Sequence, residues 1–344
     1  MGRRKRALVW PLHMGSFLAV AVLVSTSVWA GARPAEAHPR TVVSGARPVF
    51  GVTVDSVGGL AAIVAAERAL PDRPTTRVYM SIEEPASYYA AAVSKLDGVG
   101  TVMGELLDSS DARHIGVAAF QRRVESYLSV LGDSVGIWEV GNEVNGDWTG
   151  PYSAGAAKLQ EAYEDVAAVG GRTALTLYAN EYGPDHCGDG SGEPTPAEYS
   201  EEHVSPAVRD GLTYVFESYY PTQCYDVLPT DAQVASEMEQ LREVYPHALL
   251  GFGEVGLPHP ANAHDVATAE RVMSWAYGLD PRVRGYVGGY FWWYAREDAF
   301  FGKAPLRVAL DAAFDSEHAV LGGPTTATAA PRGSRRSARE RSRY

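Results

Sequence analysis

The chain has 344 residues, of which 46% are hydrophobic, 10% aromatic and 21% charged, enough for a large core in one barrel-sized domain or two smaller ones. Its formal charge is −12, but residues 1–37 carry +4 and residues 322–344 carry +5, so the stretch between them holds −21. A body this acidic argues against nucleic acid as partner and suits neutral or cationic ligands better than polyanions.

In chain order, residues 1–37 read as an export signal. Arg3-Arg4-Lys5-Arg6 is basic, the run from Phe17 to Ala30 is apolar, and Ala35-Glu36-Ala37 is a small-x-small cleavage site, with Val28-Trp29-Ala30 an earlier one. The apolar run is short for a membrane span, which disfavours the rival reading as an uncleaved anchor. The protein is therefore expected to be secreted or attached to the cell surface. Residues 38–44 form a linker.

From residue 45 to 318, strand-like and helix-like segments alternate. Strands are expected at 49–54, 77–80, 100–104, from Ile137 in IWEVGNEVNG, and at 174–178, 213–216, 248–252 and 285–293. Helices are expected at 57–70, 84–97, 111–131, 153–170, 196–209, 231–245, 263–279 and 305–314, with Asp111 and Ser153 as N-caps and Gly170-Gly171 as a stop. Eight such units have the size and rhythm of a (β/α)8 TIM barrel. An open doubly wound sheet also alternates, but no glycine-rich phosphate loop follows the first strand.

In a barrel, the C-terminal ends of the strands share one mouth. Asp55, Glu83, Glu84, Glu105, Asn142, Glu143, Asn180, Glu181, Glu217, Tyr219, Tyr220, Glu254, Trp292 and Trp293 fall there. Cys187 and Cys224, the two cysteines of the chain, follow strands five and six, so a disulfide bracing that rim is expected. They make a poor metal site, no histidine cluster accompanies them, and neither metal nor cofactor is expected. Residues 319–344 are a low-complexity Pro/Thr/Ala stretch and an Arg/Ser run. They read as a disordered basic tail, with weak contact to an anionic envelope as its sharper use.

Strand four ends in Asn142-Glu143 and strand seven in Gly253-Glu254, on roughly opposite sides of a closed barrel. Two carboxyl groups flanking a substrate, about 5–5.5 Å apart, are what a retaining glycosidase needs. WEVGNEVN, ESYYP, GFGEVG and YFWWYA, in that order, resemble the strand-four, -six, -seven and -eight signatures of glycoside hydrolase clan A. The resemblance covers residues 45–318 and implies a retaining (β/α)8 hydrolase acting on a carbohydrate substrate without a cofactor. It makes Glu143 the acid/base, Glu254 the nucleophile and Asn142 a ligand of the sugar 2-hydroxyl.

Clan members place a tyrosine after strand six in a His-x-Tyr pattern. Here that reads Glu217-Ser218-Tyr219, so Tyr219 is assigned beside the nucleophile and Glu217 departs from the pattern. Trp292 or Trp293 floors the sugar, with Trp293 preferred. Arg77 starts strand two rather than ending it, a second departure. A glutamate at a strand end is more often a solvated loop residue; its place after Asn, with a partner three strands on, lifts Glu143 and Glu254 above that reading. Glu139 reads as a buried structural residue. Glu181, also after an asparagine, is kept as a substrate-binding candidate. The reading is a secreted monomer; the alternatives are a catalytically inactive carbohydrate-binding or surface protein on the same barrel, and a metal-dependent lyase or isomerase.

Overall fold

The computed structural model describes residues 47–182, 187, 192–302 and 304–322. The expected export signal, the linker and the tail beyond residue 322 lie outside the described residues.

The strands are β1 (Val49–Val54), β2 (Thr75–Tyr79), β3 (Thr101–Glu105), β4 (Ile137–Asn142), β5 (Thr173–Tyr178), β6 (Tyr214–Tyr219), β7 (Leu249–Val255) and β8 (Tyr286–Trp292). Every strand pairs in parallel with the next, and β8 pairs with β1 to close the barrel. The chain is thus a (β/α)8 barrel, as the alternation implied.

Outside the sheet lie α1 (Leu60–Arg68), α2 (Ala86–Asp97), α3 (Val117–Leu131), α4 (Tyr152–Ala168), α5 (Pro196–His203), α6 (Pro206–Gly211), α7 (Asp231–Val244), α8 (Val266–Ala276) and α9 (Ala304–Leu321). The helix expected over 196–209 is two helices, because the Ser205 hydroxyl caps a new start and Pro206 cannot continue the old ladder. The segment expected as one helix over 111–131 is a 3-10 turn and then α3, parted by extended Ile115. Ser153 lies inside α4, whose N-cap is Pro151, and Asp111 makes no side-chain cap. α9 runs on to Leu321, past the boundary expected at 318.

Two apolar layers set up the mouth. One fills the space between strands and helices. The other lies within the barrel and consists of Val49, Met103, Ile137, Ala174, Tyr214, Phe216, Val287 and Phe291, mostly from the first residues of their strands. β8 approaches its neighbours so closely that a Cβ on Gly51 or Gly251 would meet the carbonyl oxygens of Gly289 and Gly288. Above this apolar floor the inward positions turn polar: Arg77, Glu105, Glu139, Thr176 and Glu254 are all buried.

Candidate active site

Two β-bulges turn Asn142 and Glu254 inward. In β4, Glu139 pairs with Ala174 but Gly141 pairs with Leu175, so one extra residue is inserted. Glu139 points inward, to Arg77 and Thr176, whereas a Cβ on Gly141 would meet Leu175 and Leu159 on the outer side. The insertion lets Asn142, three residues after Glu139, point inward as well. In β7, Phe252 opposes Glu217 and Glu254 opposes Ser218, leaving Gly253 as the extra residue. Phe252 packs outward on Trp275 of α8, and without the bulge Glu254 would follow it out of the barrel.

Glu143 then departs from the strand with φ 47°, in the left-handed region that a glutamate rarely occupies. Its amide donates to the Thr176 carbonyl (2.8 Å), and its own carbonyl accepts from the Gly146 amide (2.9 Å). The strained turn is held by its hydrogen bonds, and it lies at the one residue the chemistry needs.

Glu254 is 5% exposed and has three partners. Arg77 Nη1 lies 3.0 Å from Oε2, the Tyr220 hydroxyl donates to Oε1, and Asn142 Nδ2 lies 3.5 Å from Oε2. Asn142 is in turn fixed by the Ser109 amide, which donates to its Oδ1 (2.9 Å). Arg77 is itself fully buried: Nε meets Glu139 at 2.7 Å and Nη2 meets Glu105 at 3.1 Å. Burial pushes the Glu254 carboxyl up to about 8; Arg77 and the Tyr220 hydroxyl act against that, while the charge of Glu143 adds to it. Glu105 is driven well above the ordinary carboxylate value, first by burial, with Arg77 acting against the rise.

Glu143 has a different shell. Ser109 Oγ donates to Oε2 (2.7 Å), Ser218 Oγ donates to Oε1, and no cation contacts it. Burial again raises the carboxyl above its ordinary value, and the two hydroxyls oppose the rise. Two neighbouring carboxyls, one against a guanidinium and one against neutral hydroxyls, can take different protonation states at one pH.

Of the remaining expected residues, some join this cluster and others do not. Tyr219 is corrected: its hydroxyl donates to the Val227 carbonyl (3.0 Å) and its ring packs on Tyr182 and Trp275. The tyrosine on Glu254 is Tyr220. The reason is alternation, since Ser218 and Tyr220 face inward and Glu217 and Tyr219 outward. The strand-six pattern therefore reads Ser218-Tyr219-Tyr220, with serine in the place of histidine.

Trp292 is also corrected. It is fully buried on the outer side, where its indole N–H donates to Asp298 (2.9 Å). Trp293 stays at the mouth, with its ring over the Arg77 guanidinium (4.8 Å to the ring centre) and edge-on to Tyr79.

Glu181, kept as a substrate-binding candidate, does not join this cluster. It faces buried Glu217, whose Oε2 accepts from Tyr182 (2.6 Å), and burial together with Glu217 raises it well above the carboxylate range. β5 ends at Tyr178, so Glu181 lies past the strand end, on the outward side of β6. Glu139 is the buried structural residue expected, held between Arg77 and the Thr176 hydroxyl. Cys187 and Cys224 form a disulfide. Among the described residues, no group of three or more His, Cys, Asp or Glu is arranged to hold a metal ion.

Sequence reasoning placed Tyr220 at the mouth but gave the contact beside Glu254 to Tyr219, and it did not single out Arg77, Ser109 or Ser218 as site residues. A charge in the middle of Thr75-Thr76-Arg77-Val78-Tyr79 was the available signal for the first; nothing local marked Ser109.

No protein-family model matches the sequence, and no curated protein matches it. Solved structures do. A GH10 xylanase from Bispora sp. MEY-1 with xylobiose shares 14% identity over 77% of this chain and 96% of its own, with TM-score 0.53. A GH113 β-1,4-mannanase complex shares 12% identity over 79% and 100% of the two chains (TM-score 0.49). A β-glucosidase from Exiguobacterium marinum shares 11% over 75% and 86% (TM-score 0.49). At this level of identity the likeness is one of architecture, and it agrees with the closed eight-stranded parallel barrel.

Proposed function

We propose that this protein is an exported, retaining glycoside hydrolase that cleaves O-glycosidic bonds of a neutral or cationic poly- or oligosaccharide. The observation that carries the reading is the unequal pair: Glu254 against Arg77, Tyr220 and Asn142, and Glu143 against two serine hydroxyls, together at the C-terminal mouth of a barrel. The architectural likeness to the xylanase named above supports the carbohydrate class.

Arg77 is permanently charged and buried, so a carboxylate must answer it. We therefore give the nucleophilic role to Glu254, whose ionised form Arg77 and the Tyr220 hydroxyl favour against the opposing effect of burial. Its oxygen attacks the anomeric carbon while Glu143 passes its proton to the departing glycosidic oxygen, forming a covalent glycosyl ester. Glu143, now ionised, takes a proton from water, and the resulting hydroxide displaces Glu254 with net retention.

Asn142 lies against Glu254, placed to bind a hydroxyl adjacent to the reacting carbon. Trp293 offers the sugar an aromatic face on the nucleophile side. On the acid side, where the leaving group departs, Trp148 and Tyr178 meet edge to face with ring centres 5.0 Å apart. Export fits the Cys187–Cys224 bond, which persists in oxidising compartments.

The test is a screen of the purified chain on neutral plant, fungal and cell-wall glycans and on chitosan, with products followed by anomeric NMR. Glu254→Gln is expected to lower kcat by about 10⁴-fold or more. Glu143→Gln is expected to cost about 10²–10⁴-fold, less on aryl glycosides whose leaving group departs unprotonated. Undiminished turnover in Glu254→Gln, or inversion by an active wild type, overturns the reading. A protein that binds glycans tightly and cleaves none would instead be an inactive member of the same architecture.

A further inference from the structure

Both oxygens of Glu143 are occupied by the same kind of group, one from the loop after β3 and one from β6. Ser109, in the loop after β3, donates to Oε2 at 2.7 Å; Ser218, in β6, donates to Oε1. Neither serine is free to turn elsewhere. Ser218 is fully buried and Ser109 is 6% exposed. Ser109 is anchored through its amide to Asn142, and Ser218 stands in register beside Glu254.

We infer that Ser109 and Ser218 are positioning residues that grip Glu143 in its ionised form, holding it for the water-activating step. The proposal rests on the assignment of Glu143 as acid/base. A hydroxyl donating to each oxygen engages both ends of a carboxylate and leaves one lone pair on each oxygen for the proton that Glu143 must give and take. When Glu143 is protonated, one of the two bonds must weaken, so the clamp favours return to the ionised state. Without it, burial would favour reprotonation of the ionised Glu143 from solvent before water attacks the ester.

The other charged or titratable groups facing Glu143 are Asp108 from the β3 loop, Arg77 from β2, Glu254 from β7, Tyr178 from β5 and Tyr220 after β6. None of them occupies either oxygen of Glu143, so removing a serine changes the contact shell while leaving those charges in place. Each hydroxyl is expected to hold the Glu143 titration down by on the order of one pH unit, the size of one hydrogen bond to a charged acceptor.

The experiment is a ¹³C NMR titration of the glutamate carboxyls in the full chain, with the Glu143 signal identified by its loss in Glu143→Gln. Ser218→Ala and Ser109→Ala are each expected to move that titration upward, the double variant further, and Ser109→Thr, which keeps the hydroxyl, to leave it near the wild-type value. A Glu143 titration unmoved in the double variant, with the fold intact by backbone spectra, overturns the clamp. A second readout uses an activated aryl glycoside, where release of the ester limits turnover. There the alanine variants are expected to lose kcat about tenfold and to accumulate ester; losing KM alone would also overturn the proposal. The titration needs no substrate, so failure of the clamp and failure of the glycosidase reading are separable.

Discussion

Arg77 answers three carboxylates with one guanidinium, meeting Glu105, Glu139 and Glu254 at 3.1, 2.7 and 3.0 Å. Three buried anions around one cation would carry a net −2, a charge that burial opposes, and burial raises Glu105 and Glu254 in the same cluster. What keeps Glu254 available as an anion is then a balance between burial and two donors, Arg77 and Tyr220. Both donors lower its titration, so removing either raises it, and more alkaline solution is needed to ionise the proposed nucleophile. Tyr220→Phe is therefore expected to shift the acidic limb of kcat/KM against pH upward and to lower kcat at neutral pH about tenfold or more, one hydrogen bond to a charged group. An acidic limb that stays in place while kcat falls would mean that Tyr220 acts on the sugar and not on Glu254. The same residue shows where a sequence can be read and where it cannot. Glu143 and Glu254 were legible because each follows an apolar strand and the two lie three strands apart. Tyr219 and Tyr220 are chemically identical neighbours, and only the phase of β6 separates them, which is set by strand pairing and not by local composition.

Within the elements, the two bulges and one buried acid deserve separate physical accounts. WEVGNE sets Gly141 just before Asn142 and GFGEV sets Gly253 just before Glu254, and a lone glycine inside a strand is a common mark of a bulge. The parity of Glu139 and Glu143 is the same in an unbroken strand, so the inward turn of Asn142 was unreadable without the pairing to β5. Buried acids outside the site affect stability instead. Glu67 of α1 is 1% exposed; its Oε1 accepts from the Thr76 hydroxyl of β2 (2.9 Å), and burial pushes its carboxyl up to about 7. A carboxyl raised in the folded state stabilises it fully only below the unfolded value of 4.5, and that contribution is lost as pH rises toward 7. The loss is about 3 kcal/mol. Glu67→Gln keeps an oxygen for Thr76 and removes the titration. In urea unfolding the variant is expected to gain on the wild type between pH 4.5 and pH 8 by a few kcal/mol, and an unchanged difference between the two pH values would show that Glu67 does not titrate in this range.

For the whole molecule, eightfold alternation without a phosphate loop was enough to specify the barrel, because length and parallel crossovers leave few other closed solutions. Closure itself is a long-range fact: β1 and β8 pair across more than two hundred residues, at Val49 with Gly288 and Phe50 with Gly289, and no local pattern announces that register. Net charge is the one global property that bears directly on substrate choice. The −21 between residues 38 and 321 is spread over a body whose mouth residues include Asp55, Asp108, Asp147, Glu193 and Glu297, while its most deeply placed cation, Arg77, is fully engaged. A polyanionic chain approaching that mouth meets repulsion on a scale set by the screening length, about 10 Å at 0.1 M salt. Chitosan oligomers are therefore expected to associate faster and bind more tightly than polyuronate oligomers of equal length at 20 mM salt. The gap is expected to shrink several-fold by 500 mM, where screening leaves only contact chemistry, while neutral glycans respond little across the same range. Stopped-flow tryptophan fluorescence with Glu254→Gln measures all three without turnover. Polyuronates binding as fast as chitosan at low salt would mean that the local field at the mouth is not the one the net charge implies, and would move the substrate class toward acidic glycans.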